Sequence, residues 1–250
     1  MTTATLDQAV ASLTSTVDYL RITIGVSGGA WLACRAIVSD PAYLGSLMES
    51  TKVALGTDRD DVATSLFVQG YVFRIATVAV GSWLLLDTVI ATDPATTSIS
   101  LGRGHLNAVL LDPDSRMLPG GGIDDVHATL IDGHLAALVA TAHESTTVGA
   151  ALLWGNVAAS CAAAFGAFAG APGAPREAIA DRVETFFARA RPELRAGGQV
   201  IRVGDRFAWK RTTCCLWYRT EGGFLCEDCS LRPESDHAAR FAALAMEASE

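Results

Sequence analysis

The chain has 250 residues, of which half are hydrophobic and 18% are charged, and this composition excludes a disordered or fibrous protein. Its formal net charge of −8 and its pI near 5.1 oppose binding to a phosphate backbone, so no nucleic-acid partner is expected. The length allows one large domain or two unequal parts, and we expect two parts.

A mean hydropathy of +0.30 raises the question of a membrane span. The most apolar stretch runs from Tyr71 to Ala91, but Arg74 and Asp87 interrupt it. The uncharged part is shorter than the ~20 residues that a spanning helix needs, so we predict a buried core helix and no transmembrane segment. The N-terminus has neither the basic nor the apolar region of a secretory signal, which predicts a cytoplasmic protein, with peripheral contact at the inner membrane face left open.

The first half of the chain predicts helices. Residues 6–22 have the spacing of an amphipathic helix, and the glycines of 25–30 indicate a turn. The polar residues 57–60 are suited to capping a helix, and the apolar run that follows them to Leu86 predicts one long buried helix with a bend at one of its two glycines.

The middle of the chain predicts a small sheet and then further helices. The alternating residues 98–111 predict a hairpin that turns at Gly102 to Gly104. Helices are predicted at 124–143, at 146–168 and at 176–191, with a Gly/Pro/Ala break before the third.

The pattern changes after residue 196. β-Branched and aromatic residues around Gly204 and Asp205 predict a hairpin that leads to Cys214 and Cys215. We therefore expect an α+β, predominantly α-helical protein, with a helical domain and small sheet at 1–196 and a C-terminal segment of hairpin and cysteines at 197–250.

Four of the six cysteines lie within sixteen residues, in the order Cys-Cys, ten residues, Cys, two residues, Cys: Cys214, Cys215, Cys226 and Cys229. Clustered cysteines in a reducing compartment indicate metal binding, because structural disulfides are rare there. A Cys-x2-Cys pair can bend around one tetrahedral metal, whereas vicinal cysteines on extended backbone point to opposite faces. Zinc and a [2Fe-2S] cluster both suit four thiolates, with more room for the vicinal pair around two irons. Cys34 and Cys161 lie in apolar surroundings and are predicted to be core residues.

The strings RTTCCLWYR and GGFLCEDC, which contain the four cysteines, resemble the C-terminal segment of the FhuF-type siderophore-iron reductases. Upstream, VATSLFVQGYVFRIA, VLLDP and LLWGN also resemble members of that family, although they are less specific. The resemblance implies that the four cysteines bind a [2Fe-2S] cluster and pass single electrons. It also implies a ferric siderophore substrate, of the hydroxamate type. The sequence has no P-loop and no GxGxxG followed by the expected acidic residue, so a separate electron-donor protein, a ferredoxin or its reductase, is expected.

Basic and aromatic residues around the cysteines are candidates for substrate binding. Five basic residues and one acidic residue lie between Arg202 and Arg219, which predicts either a patch for an anionic partner or a solvated hairpin face. Aromatic rings nearby could contact a bulky ligand or pack around the cluster. The candidates are Lys210, Arg211, Arg219, Trp209, Trp217 and Tyr218. Trp154 and Asn156 are predicted to be structural, and His134 and His143 are given no role.

Two other classes of function remain open from the sequence. A zinc-stabilised binding protein would use the same cysteines only to hold the C-terminus together. An iron-sulfur redox sensor would use the cluster as a switch, but the acidic charge and the lack of a helix-turn-helix pattern oppose direct DNA binding.

Overall fold

The structure is a computed structural model that describes residues 4–102 and 105–247. Helices account for 57% of it, with small sheets and a C-terminal hairpin, which confirms the predicted α+β, mostly helical class. The helices are α1 (Leu6–Thr16), α2 (Cys34–Ser39), α3 (Pro41–Leu55), α4 (Asp60–Leu86), α5 (Ile123–Val126), α6 (Ala136–Ser145), α7 (Ala150–Ala169), α8 (Arg176–Arg189), α9 (Pro192–Arg195) and α10 (Glu234–Glu247). The chain is π-helical from His127 to Leu135, between α5 and α6.

Within the described residues, the strands form three separate sheets. They are β1 (Ile22–Ile24), β2 (Trp31–Ala33), β3 (Thr88–Ile90), β4 (Thr97–Gly102), β5 (His105–Leu111), β6 (Met117–Pro119), β7 (Gly198–Val203) and β8 (Arg206–Arg211). One sheet has the order β1-β5-β4-β2, and β3 pairs with β6 and β7 with β8. The predicted hairpin is confirmed as the antiparallel pair β4 and β5, but its turn lies partly outside the described residues.

Local sequence explains where several helices begin and end. Asp40 caps α3 by accepting hydrogen bonds from two backbone N–H groups of its first turn, and Pro41 occupies the first helical position, where no N–H is needed. Gly56 ends that helix in the left-handed conformation that glycine tolerates. Two aspartates in the first turn of α4 stabilise the helix, because their negative charge interacts favourably with the positive N-terminal end of its dipole.

The core is built around the two long helices α4 and α7. Most of their residues are buried, and an added Cβ at Gly81 would lie only 2.2 Å from the ring of Phe168, so the two helices approach closely there. Both helices are long and apolar enough to cross a membrane, yet 72% of the most hydropathic window of each is buried inside the protein. Burial in the core explains their apolar composition, and the absence of a transmembrane segment stays a prediction.

The C-terminal hairpin packs on the helical part of the chain. The strands β7 and β8 contact α7 and α8, and Trp209 of β8 packs on Phe187 of α8 with ring centroids 4.4 Å apart. An added Cβ at Gly197 would lie 2.6 Å from Ala158 Cβ, so glycine lets the entry to β7 approach α7. The division into 1–196 and 197–250 stays a prediction.

Candidate metal centre

The segment after β8 is held against α7 at a glycine. An added Cβ at Gly155 would lie 1.8 Å from Thr213 Oγ1 and 2.9 Å from Thr213 Cβ, so only glycine admits Thr213 at this distance. Thr213 directly precedes the vicinal cysteines. Gly155 therefore lets the residue before the vicinal cysteines pack directly against α7.

The four cysteines of the C-terminal segment form two sulfur pairs. Cys214 Sγ lies 3.9 Å from Cys229 Sγ, and Cys215 Sγ lies 3.4 Å from Cys226 Sγ. Each pair thus joins one vicinal cysteine to one cysteine of the Cys-x2-Cys motif. The two cysteines of the Cys-x2-Cys motif therefore belong to different pairs.

The backbone at Leu216 explains why the vicinal cysteines separate. Leu216 has a φ of 67°, in the left-handed region, and the chain continues from it into a 3₁₀ turn, Trp217–Arg219. The Leu216 N–H donates to Cys214 Sγ at 3.3 Å. The chain thus turns sharply directly after Cys215, and the thiols of Cys214 and Cys215 point to different partners.

The second cysteine-bearing loop is held by an arginine that the sequence analysis did not select. Arg232 donates from Nε to the Cys226 carbonyl at 2.7 Å and from a second nitrogen to the Leu225 carbonyl at 2.8 Å. The Cys229 N–H donates to the Cys226 carbonyl at 3.2 Å and closes the turn between the two cysteines. The planar guanidinium can bridge two carbonyls at once, which orients Cys226.

A buried chain of hydrogen bonds connects the vicinal cysteines to the core helices. Ser65 Oγ of α4 donates to the Cys215 carbonyl at 2.7 Å, and Asn156 Nδ2 of α7 donates to Ser65 Oγ at 2.8 Å. A guanidinium N–H of Arg211 donates to Asn156 Oδ1 at 2.5 Å, and only 4% of Arg211 is exposed. The predicted structural role of Asn156 agrees with these contacts.

The thiol pKa values follow from the same pairing. The pKa of Cys215 is lowered to about 6, chiefly because its sulfur accepts a hydrogen bond from Cys226 and also because the Trp217 N–H and Arg211 favour the thiolate. The pKa of Cys226 is raised by the neighbouring Cys215 and by burial. Burial raises the pKa of Cys214 to about 11. Cys215 is therefore the member of its pair that ionises first.

The donor set fits a two-metal cluster better than a single ion. Two thiolates on one tetrahedral metal, at a metal–sulfur distance of about 2.3 Å, lie about 3.8 Å apart, close to both observed separations. Across residues 4–102 and 105–247, no three or more His, Cys, Asp or Glu side chains are grouped so that they could hold one metal ion. That all four cysteines are ligands stays a prediction, which this pairing supports.

A cavity of about 640 Å³ lies beside one of the sulfur pairs. Cys215 and Cys226 line it, together with Trp209, Trp217 and Phe224. Its volume is in the range of cavities that bind small ligands. We call it the cluster cavity.

The six residues predicted for substrate binding lie in different surroundings. Trp209 and Trp217 line the cluster cavity, whereas Arg211 is buried and bonded to Asn156. Tyr218 is 37% exposed and lies under the guanidinium of Arg219, 5.5 Å from its ring centroid. Arg219 pairs with Asp61 at 3.2 Å, and Lys210 pairs with Glu234 at 2.6 Å. Substrate contact by these residues stays a prediction.

Further charged residues, which are not among the six candidates, line the cluster cavity. Arg176, Arg206 and Arg240 line it, together with Glu227 and Asp228. Arg176 and Arg240 are distant from the cysteines in sequence and come from α8 and α10, so no local pattern identifies them. Arg206 and the two acids are close to the cysteines, but their shared cavity is visible only in the fold.

Comparison with known proteins identifies the cysteine-bearing segment. Residues 211–231, which include all four cysteines, match the family model described as FhuF 2Fe-2S C-terminal domain. No curated protein matches the chain. The match covers a short part of the chain and leaves the helical part unassigned. These residues thus carry the FhuF 2Fe-2S C-terminal domain, which confirms for this segment both the resemblance to the FhuF-type family and the [2Fe-2S] cofactor.

Proposed function

We propose that this protein is a cytoplasmic ferric-siderophore reductase that passes one electron to siderophore-bound Fe(III) and thereby releases Fe(II). The observation that carries the proposal is the cluster cavity, which is large enough for a ligand and is lined by Cys215 and Cys226. The FhuF 2Fe-2S match to residues 211–231 supports the same class of reaction.

The chemistry of the substrate explains why one electron is sufficient. Siderophore oxygens are hard donors that hold Fe(III) much more strongly than Fe(II), so reduction weakens the complex and releases the metal. When bound, a [2Fe-2S] cluster supplies that single electron at a potential that its surroundings tune. No acid–base residue is required for this step.

The walls of the cavity suit a bulky, weakly charged complex. Trp209, Trp217 and Phe224 offer aromatic surface, and part of the wall is formed by small residues of α7, among them Ala162 and Gly166. The charges of the three arginines and two carboxylates that line the cavity nearly cancel, and the thiolates add negative charge. This balance supports a ferric trihydroxamate, in which three hydroxamate anions neutralise Fe(III).

The electron must come from a separate protein, since the chain has no Gly-rich nucleotide-binding motif. Apolar side chains stand exposed around the cysteines, including Phe224 with 68% and Leu231 with 53% of its surface accessible. We expect a ferredoxin or its reductase to dock close to them, because electron transfer needs a short path to the thiolates. Contact with the inner membrane face is part of the same proposal.

The test is to reduce the purified protein without oxygen and to add a ferric trihydroxamate. We expect the visible absorbance of the oxidised cluster to return while an Fe(II) chelator gains colour. The gallium(III) complex of the same siderophore should leave the protein reduced, because gallium(III) accepts no electron under these conditions. A zinc protein would be colourless from the start, and a reduced cluster that the ferric complex fails to reoxidise would refute the proposal.

Two matched variants each remove one thiol, the first from the four clustered cysteines and the second from elsewhere in the protein. Cys226→Ser is expected to abolish or severely reduce turnover, whereas Cys161→Ala, which removes a buried thiol of α7, should keep it. Full turnover by Cys226→Ser would refute the proposed role of the thiolates.

A further inference from the structure

A second chamber of about 360 Å³ adjoins the cluster cavity. Leu66, Gln69, Ala163 and Trp217 line both spaces, so the two share one wall. The rest of the chamber is mostly apolar and is formed by α3, α4, α7 and β5. A ligand in the cluster cavity could therefore extend one arm past Trp217 into this second chamber.

Arg74 is the one charged side chain among the described residues that line the second chamber. It is partly buried, and its guanidinium donates to the Gly70 carbonyl at 3.2 Å. Within the described part of the chain no carboxylate lies within ion-pair distance of it. Burial without a counter-charge lowers the pKa of Arg74.

Two other partly buried arginines of the protein have carboxylate partners. Arg182 pairs with Asp87 at 2.6 Å, and Arg202 pairs with Asp181 at 2.7 Å. Placing a cation in an apolar space without a partner is unfavourable, and a charged group in a cavity that lacks one is suited to an ionic ligand. Arg74 therefore offers an unused site for a carboxylate, with the fork geometry that binds both oxygens.

Gln69 supplies a second polar group on the wall between the two spaces. Its side-chain oxygen is buried and accepts no hydrogen bond from any described residue. A buried amide oxygen of this kind is stabilised by an N–H or O–H donor. A chain that carries an amide N–H and ends in a carboxylate would satisfy Gln69 first and Arg74 beyond it.

We propose that the second chamber binds a terminal arm of the siderophore that ends in a carboxylate, with Arg74 as the residue that selects for the charge. The inference rests on the proposed function, since it takes the ferric complex to lie in the cluster cavity. Arg74 is then a specificity-determining residue and takes no part in electron transfer.

The test uses gallium(III) complexes of two linear trihydroxamates that differ only at one end, which is a free carboxylate in one and a primary amide in the other. Gallium(III) complexes report binding without any reduction, by calorimetry or by tryptophan fluorescence. We expect the wild type to bind the carboxylate form about tenfold more tightly, because a hydrogen-bonded pair with a charged group adds at least that factor.

Variants of Arg74 decide the assignment. Arg74→Gln should bind the two complexes equally, Arg74→Lys should keep part of the preference, and Arg116→Gln, at an exposed position outside both spaces, should keep all of it. The cluster absorbance of each variant confirms that it is folded. A preference that persists in Arg74→Gln, or equal binding of the two complexes by the wild type, would overturn the chamber proposal alone. A wild type that binds neither complex would overturn the proposed function as well.

Discussion

The glycine of α7 that faces the cysteine segment can be tested by adding one methyl group. Gly155→Ala places a Cβ 1.8 Å from Thr213 Oγ1, so Thr213 must move, and Cys214 moves with it. Gly166→Ala, in the same helix, adds a Cβ with nothing within 4 Å. Both changes gain helix propensity of about 0.5–1 kcal/mol, but overpacking at residue 155 costs about 1–3 kcal/mol.

We therefore expect Gly155→Ala to be about 1–3 kcal/mol less stable than Gly166→Ala. For a chain of this size that corresponds to roughly 2–4 °C in melting temperature for each kcal/mol. Thermal unfolding under anaerobic conditions measures the difference, and visible absorbance per mole of protein measures cluster content, which should fall only in Gly155→Ala. Equal stability and equal absorbance in the two variants would refute the claim that this contact positions the vicinal cysteines.

Three other predictions follow from the structure. Asn156→Ala leaves the buried Arg211 without its side-chain partner and should lower the free energy of unfolding by about 2–3 kcal/mol in urea titrations, while the exposed Asn107→Ala should change it by less than about 0.5 kcal/mol. Single Cys→Ser variants should divide into two groups in the Mössbauer spectrum of the reduced protein. Substitution of Cys214 or Cys229 should change the signal of one iron, and substitution of Cys215 or Cys226 should change the signal of the other. Any other grouping would contradict the observed sulfur pairs. Burial lowers the pKa of His134 to about 4, from an ordinary value near 6.5. Between pH 6.5 and 4 the unfolded chain thus binds a proton that the folded protein does not, and stability should fall by about 3 kcal/mol as the pH falls through this window. His134→Gln should remove most of this pH dependence of stability. An unchanged dependence in the variant would contradict its assignment to His134.

The long apolar elements could be predicted from the sequence because their patterns are local. The run before Leu86 forms α4, and the residues around Gly204 and Asp205 form the hairpin of β7 and β8. The first helix was predicted to reach Ile22 but ends at Thr16. β-Branched residues accumulate at that end, and Ile22 instead pairs with Val109 in the sheet, a long-range contact that periodicity does not show.

The candidate site was predictable only in part for the same reason. The spacing of the four cysteines indicates metal binding, but it does not show which sulfurs pair, because that depends on how the two cysteine-bearing loops meet in the fold. From the sequence, the basic residues near the cysteines form either one patch for an anionic partner or a solvated hairpin face. The fold separates them, since Arg211 turns inward to Asn156 and Arg219 turns outward to Asp61. Arg74 is far from the cysteines in sequence and was considered only as an interruption of an apolar run.

The hydrogen bonds from Ser65 to the Cys215 carbonyl and from Arg211 to Asn156 have a thermodynamic consequence. They join the cysteine-bearing peptide to the two helices on which the rest of the protein is built. Any ligand that binds the folded state alone stabilises it by mass action, so the cofactor is also a stabilising ligand of the whole chain. When iron is scarce, protein made without its cofactor should unfold more readily and be degraded faster, so the cellular amount of the protein would follow the supply of iron.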